Sequence, residues 1–483
     1  MMRIAILSAL LAATAAGPTL AGQAPAAASA ADIAPSHRDR VYAAEQFSNT
    51  VSVTDPVDGR LLGVIRLGEP QPANLGPLYR GQLLVHGLGF SPDHRTLAVV
   101  SIGSNSVSFI DTATSAVKHT TYVGRSPHEA FFTPDGREVW VTVRGEDYVA
   151  VLDAATFAET ARIATPNGPG MQIFSPDGRY GYVCSSFSPE TVVVSVADRR
   201  IVGSIPQASP FCPNIAATPD GQQVWFTLKD VGKVQVFEAR PPFALLATLS
   251  TGPITNHVNI VRNRNGQFAY VTVGGLNQVK VFRTDTFALV ATIPVGALPH
   301  GVWPSGDGGR VYVGLENADA LAAIDTVTNQ VIGTIPVGQA PQAIAYVPDA
   351  VPAGDGLQGL QPLGVGGMSA QLALAPPAGP SSAPPPSSVA LFEQGFTQVL
   401  QAAVTGLPPG RPFVLALAQN ADGGGEIEVL AAFTTNPAGA AVVSAVGPLR
   451  QIVGADAPSG QRFLAILPGT PGRLGPAAQV QVR

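Results

Sequence analysis

Apolar and polar residues alternate along most of this chain in short runs interrupted by turn-forming residues, the pattern of half-buried β-strands rather than of amphipathic helices. The stretch from Ser126, "SPHEAFFTPDGREVWVTVRGEDYVAVLDAATFAETARIA", shows it in full and predicts strands over 128–133, 138–143, 148–153 and 158–164. Pro134-Asp135-Gly136 supplies the hairpin turn between the first two, with Gly taking the backbone angles that a tight turn demands. Related turns follow at Pro92-Asp93, Pro176-Asp177-Gly178, Pro219-Asp220-Gly221, Asn265-Gly266, Asp307-Gly308 and Pro348-Asp349; Pro92, Pro134 and Pro176 are spaced by 42 residues. A period of this size marks a repeat architecture. Four residues beyond the turn glycine an aromatic recurs, at Trp140, Tyr182, Trp225, Tyr270 and Tyr312. Such a position is expected to pack one sheet against the next.

First strands are predicted to begin near 86, 128, 170, 213, 258, 300 and 342, which makes seven. The earliest set of remaining strands, 41–67, has no first strand before it, and the last first strand, 342–348, has nothing after it. Pairing the two fragments completes a blade and removes the exposed sheet edges. The expected fold is therefore all-β: a seven-bladed β-propeller over 40–349 closed by its N- and C-terminal strands. The repeat from Arg310, "RVYVGLENADALAAIDTVTNQVIGTIPVGQAPQAIAYVPD", resembles the YVTN family of β-propeller repeats. That resemblance implies kinship with surface-layer and periplasmic binding proteins. More distantly it extends to the propellers of nitrous oxide reductase, lactonases and cytochrome-type nitrite reductases.

The pattern changes beyond the ring. Residues 353–387, with "APPAGPSSAPPPSS", read as a Pro/Gly/Ser-rich linker. Alternation returns in 388–483, which predicts a small antiparallel β-sandwich, immunoglobulin-like in outline but without the Cys and Trp hallmarks. At the other end, Arg3, the apolar run Ile4 to Ala16 and Thr19-Leu20-Ala21 read as a signal peptide over 1–21, so a periplasmic or secreted protein is expected. No later run reaches the length of a transmembrane helix.

Composition narrows the classes. With 46% apolar and 13% charged residues the chain is a folding one, and a net charge of -5 argues against nucleic acid as a partner. Cys184 and Cys212 are the two cysteines. Export permits a disulfide between them, and two free buried thiols are the other reading.

Candidate chemistry gathers on one face. The loop entering each first strand and the loop between second and third strands lie on the same side of the ring, here called the mouth face. Aligned from the turns, the entry residues are His86, His128, Gly170, Pro213, Val258, His300 and Gln342, with His257 one step earlier than Val258. Recurrence has a plain structural reading, in which each imidazole bonds a neighbouring loop. Its functional reading is a ligand or transition-metal site, with His86, His128 and His300 as metal ligands. Glu45, Arg144, Glu146, Asp147, Lys229, Asp230, Glu316 and Asp319 reach the same face from second-to-third-strand loops, each by itself an ordinary solvated residue and together with the histidines a candidate ligand pocket. The long 69–85 insertion adds Tyr79 and Arg80.

Three functional readings stay open. The leading one is an exported non-catalytic binding or scaffold protein holding a small molecule, metal or protein partner at the mouth. The second is a metal-dependent lactonase-type hydrolase, with Glu146 or Glu316 as base. The third is a cell-surface structural protein held at the envelope through its C-terminal domain.

Overall fold

A computed structural model describes residues 34–68, 83–364, 369–377, 387–394, 397–455, 457 and 460–482. The expected signal peptide and most of the 69–85 insertion, Tyr79 and Arg80 included, lie outside the described residues. Seven four-stranded antiparallel sheets form a propeller. In the repeat quoted above the strands are Pro127–Phe132, Glu138–Val143, Tyr148–Asp153 and Glu159–Ala164, each within one residue of expectation. Blades one to six have inner strands Val85–Phe90, Pro127–Phe132, Pro169–Phe174, Ile215–Ala217, Thr255–Asn263 and Pro299–Pro304.

Blade seven is the composite one. Its inner strand Pro341–Val347 pairs with Arg40–Glu45, placing Tyr346 opposite Val41 and Ala345 opposite Tyr42. Asp39 reinforces the closure: its carboxylate accepts from the Tyr346 hydroxyl and, at 2.7 Å, from the Asp349 amide.

The repeat's local chemistry explains its regularity. In blade two Thr133 Oγ1 donates to Asp135 Oδ1 at 2.6 Å, and the same oxygen accepts from the Arg137 amide at 3.1 Å. Ser175, Asp177 and Arg179 repeat the arrangement, as do Thr218, Asp220 and Gln222. Gly136 and Gly178 both close their turns at φ +71°, a region where a Cβ would be strained. Between blades, Trp140 lies 5.0 Å from the Phe174 ring, and a Cβ on Gly181 would come within 2.7 Å of the indole. Trp140, Tyr182, Trp225, Tyr270 and Tyr312 are all fully buried. Large rings wedged between twisted sheets supply the ring's apolar packing.

A second all-β unit follows. Its strands form one antiparallel sheet in the order 427–434, 412–418, 463–470, 479–481, 370–375, 387–393, 398–404 and 441–447, nearly closed on itself. The layers of the expected sandwich are thus parts of one continuous sheet, with Leu391, Leu400, Leu415, Leu464 and Ile466 inside. The boundary expected at 388 moves: Ala370–Ala375, assigned to the linker by composition, is a strand paired with Ser387–Glu393 and Gln479–Gln481. Nor is 353–364 a free spacer. Val64 and Gln361 exchange two backbone hydrogen bonds at 2.8 Å, and Arg40 donates to the Asp355 carbonyl at 2.7 Å. Glycine and proline mark the absence of regular pairing within a segment; they do not tell whether it is tied to something else.

Among the described residues no helix is long and apolar enough to cross a membrane.

Candidate functional site

Inner strands enter the ring at the mouth face, and in blades one, two, five and six each carries a register shift in its first residues, between Val85 and Leu88, Pro127 and Ala130, Thr255 and Val258, and Pro299 and Val302. A bulge breaks the strict alternation of side chains, so two consecutive residues can serve the same site. That is how blade two contributes both His128 and Glu129. The pairing also corrects one alignment: Val258 faces Val271 as Ala130 faces Val141. Asn256 is therefore the counterpart of His128 in blade five, and His257 that of Glu129.

The four histidines converge. His86 and His128 have ring centroids 4.3 Å apart, His257 and His300 4.7 Å, and His86 and His300 6.1 Å. Burial, with the neighbouring cations and imidazoles, pulls His86, His128 and His257 well below the usual histidine pKa. They are neutral rings at neutral pH, the form that offers a lone pair.

His300 is engaged differently. Its Nδ1 meets Glu316 Oε2 at 2.9 Å. Burial alone would raise the Glu316 pKa, but His300, Lys229 and a Gln342 hydrogen bond outweigh it and bring it to about 2. Gln342 itself is buried. Glu129 has the opposite environment. Burial drives its pKa well above the carboxylate range, with only the Leu88 amide opposing; its Oε1 stands 3.9 Å from His86 Nδ1.

Two cations approach the same centre. Arg144 lies between the Phe187 and Phe211 rings, 5.5 and 5.2 Å from their centroids, and Lys229 Nζ lies 5.8 Å from the Phe211 centroid. Among the described residues neither has a carboxylate within ion-pair distance, and burial lowers both pKa values. Glu146 does not join this group. Its Oε1 accepts from the Arg125 amide at 3.1 Å and pairs with the Arg125 guanidinium at the rim.

The C-terminal sheet covers part of the mouth. Gln401 Nε2 donates to Glu316 Oε1 at 2.6 Å and to Asn317 Oδ1 at 3.1 Å, while Asn317 Nδ2 donates to Ser388 Oγ at 3.2 Å. Phe392 packs on Phe47 with centroids 4.7 Å apart, and Ala403 and Ala440 pack on Ile254 and Leu298. These contacts fall on blades five, six and seven. Toward blades two and three, Phe187 is 54% exposed, beside Arg144. On that side Cys184 and Cys212 are joined by a disulfide bridging blade three to the entry of blade four.

Of the residues singled out in the sequence, His86, His128, His257, His300, Arg144, Glu316 and Gln342 are brought together. Within the metal set of His86, His128 and His300, His300 bonds Glu316; the three residues whose ligand atoms lie within 4.8 Å of one another are His86, His128 and Glu129. Glu129 and Gln401 complete the centre and were not in the expected set, whereas Lys229 was among the charged residues expected on this face. Glu129 had a signal, being a lone acid inside the apolar run "HEAFF". Gln401, from another domain, had none.

A family model described as "Lactonase, 7-bladed beta-propeller" matches residues 96–331. Kuenenia stuttgartiensis hydrazine synthase is similar in structure over 55% of this chain and 90% of that chain, with 20% identity and a TM-score of 0.50. A functionally unknown protein from Desulfotomaculum acetoxidans covers 64% of this chain and 98% of its own, with 16% identity and a TM-score of 0.53. At these identities the likeness is one of fold. No curated protein matches this chain. Repeat, closure and family match together make this chain a seven-bladed β-propeller, similar through most of its ring to the seven-bladed lactonase model.

Proposed function

We propose that this is an exported propeller that binds a small carboxylate-bearing ligand at the partly covered mouth, on Arg144 and Lys229. The observation that carries the reading is the pair of half-buried cations around Phe211, neither of which has a carboxylate of the described residues within ion-pair distance. A guanidinium between two aromatic rings keeps its planar fork free for a carboxylate, and desolvation strengthens each contact. The neutral imidazoles behind them add hydrogen-bonding groups without further charge. Export is supported by the Cys184–Cys212 disulfide, since such bonds persist in oxidising compartments, and by the likeness of the repeat to the YVTN family. Calorimetric titration with a panel of mono- and dicarboxylates tests the reading. Arg144→Ala and Lys229→Met are each expected to weaken the best ligand by ~10-fold or more, the loss of one charge-assisted contact. A panel that binds wild type and both variants equally would overturn it.

The family match on residues 96–331 favours a second reading, hydrolysis of a lactone to its hydroxy acid. Its product carries the carboxylate that Arg144 and Lys229 would hold. Release of acid from a lactone panel, abolished in Arg144→Ala, supports turnover; ligand binding without acid release leaves a binding protein.

A further inference from the structure

We propose that His86, His128 and Glu129 form a site for a divalent transition-metal ion, with Zn2+ the ion best matched to the donors. One ligand atom from each residue lies within 4.8 Å of the other two. Donors on a tetrahedral ion with bonds of about 2.1 Å stand ~3.4 Å apart, so small side-chain rotations close the set. All three residues are buried, His86 at 6%, His128 at 4% and Glu129 at 1% exposure.

An independent observation points inward from each of them. His86 Nδ1, His128 Nδ1 and Glu129 Oε1 are buried without a hydrogen-bond partner. Buried polar atoms are ordinarily satisfied; two of these orphans, His86 Nδ1 and Glu129 Oε1, stand 3.9 Å apart, and a ligand atom of His128 lies within 4.8 Å of one from each of the two residues. A single cation satisfies all three.

His128 Nδ1, buried and without a hydrogen-bond partner, is a ring nitrogen free to offer its lone pair. Gly87 makes room for the carboxylate: a Cβ there would lie 2.6 Å from Glu129 Oε2 and 2.3 Å from the His128 carbonyl. His300 stays outside the set because Glu316 holds its Nδ1. Two imidazoles and one carboxylate suit Zn2+ or Co2+ better than Ca2+ or Mg2+, which favour oxygen donors, and leave a fourth position open.

The full chain, purified without a metal-binding tag, stripped with chelator and dialysed against Zn2+ or Co2+, provides the test. Expected are one metal equivalent per chain, the strong visible absorption of low-coordinate Co2+, and a Zn2+-dependent rise in the melting temperature of the wild type. Glu129→Gln, which keeps the side chain's shape, and His128→Ala are each expected to weaken Zn2+ binding by ~100-fold, at least the effect of losing an outer-sphere partner. His119→Ala, on the exposed outer strand of blade one, is expected to bind as wild type does. No metal retained by the wild type, or Zn2+ affinity unchanged in Glu129→Gln, would overturn the site. Carboxylate titration of the metal-stripped chain reads the Arg144 and Lys229 proposal separately, so either can fail alone.

Discussion

Glu45 shows how a single buried acid can tie blade six to blade seven. Its Oε1 accepts from the Gly338 amide at 3.0 Å and the Ser52 amide at 3.2 Å, and its Oε2 from the Thr50 hydroxyl. Burial outweighs these bonds and raises its pKa to about 7. A carboxyl with a raised folded-state pKa contributes stability that is fully present below its unfolded value and lost as pH rises through the folded one. The latch is therefore at full strength below about pH 4.5 and gone above about pH 7. Glu45→Gln keeps one acceptor oxygen for the Gly338 and Ser52 amides, turns the other into an amide donor facing the Thr50 hydroxyl, and cannot ionise. At pH 8 it is expected to be more stable than wild type by on the order of 3 kcal/mol, with no such gain at pH 4; thermal unfolding at the two pH values reads the difference. Glu316, whose pKa falls to about 2, runs the other way, its contribution being lost as pH drops from about 4.5 toward 2. Hydropathy does not distinguish the two glutamates. What separates them is a cationic neighbour, and only folding supplies one.

Turns and strand bulges divide the labour at the scale of the element. The Ser/Thr-Pro-Asp-Gly hairpins were legible because their chemistry is local: hydroxyl, carboxylate and amide lie within four residues of one another. Asp177→Ala removes an acceptor for Ser175 Oγ at 2.6 Å and the Arg179 amide at 3.1 Å. It is expected to cost about 1–2 kcal/mol, measured by denaturant unfolding, without changing carboxylate binding on the opposite face. The inner-strand bulges were not legible, since nothing in "PHEAFF" announces a register shift. Period-two reasoning sends His128 and Glu129 to opposite sides, whereas the shift between Pro127 and Ala130 lets both serve the mouth. Blade five repeats the device, and there a turn-based alignment misplaces His257 by two positions, opposite Pro127 instead of Glu129.

Across the whole molecule, ring closure and the covering domain decide what the mouth can do. Closure follows from counting strands, because a ring with one incomplete blade has only one way to remove its edges. The cover does not: Gln401 meets Glu316 across 85 residues of chain, and alternation in the C-terminal strands tells that they pair but not which surface they dress. The disulfide acts at this scale too, linking consecutive blades across 28 residues. Replacing both cysteines by serine is expected to lower stability by about 3–4 kcal/mol, the closure entropy of a loop of that length. Reductant should lower the unfolding midpoint of the wild type and leave that of the double variant unmoved; a wild type indifferent to reductant would remove the bond's structural role.

By itself the sequence determined the repeat, the blade number, the composite seventh blade and the face on which the histidines gather. Those follow from interactions a few residues long, multiplied by a period. Tertiary structure alone decided that His300 belongs to Glu316, that Glu129 joins His86 and His128, that Arg144 and Lys229 meet around Phe211, and that residues 370–482 form a domain lying over the mouth. Each of these depends on groups far apart in the chain, and on desolvation, which is a property of the assembled ring rather than of any residue in it.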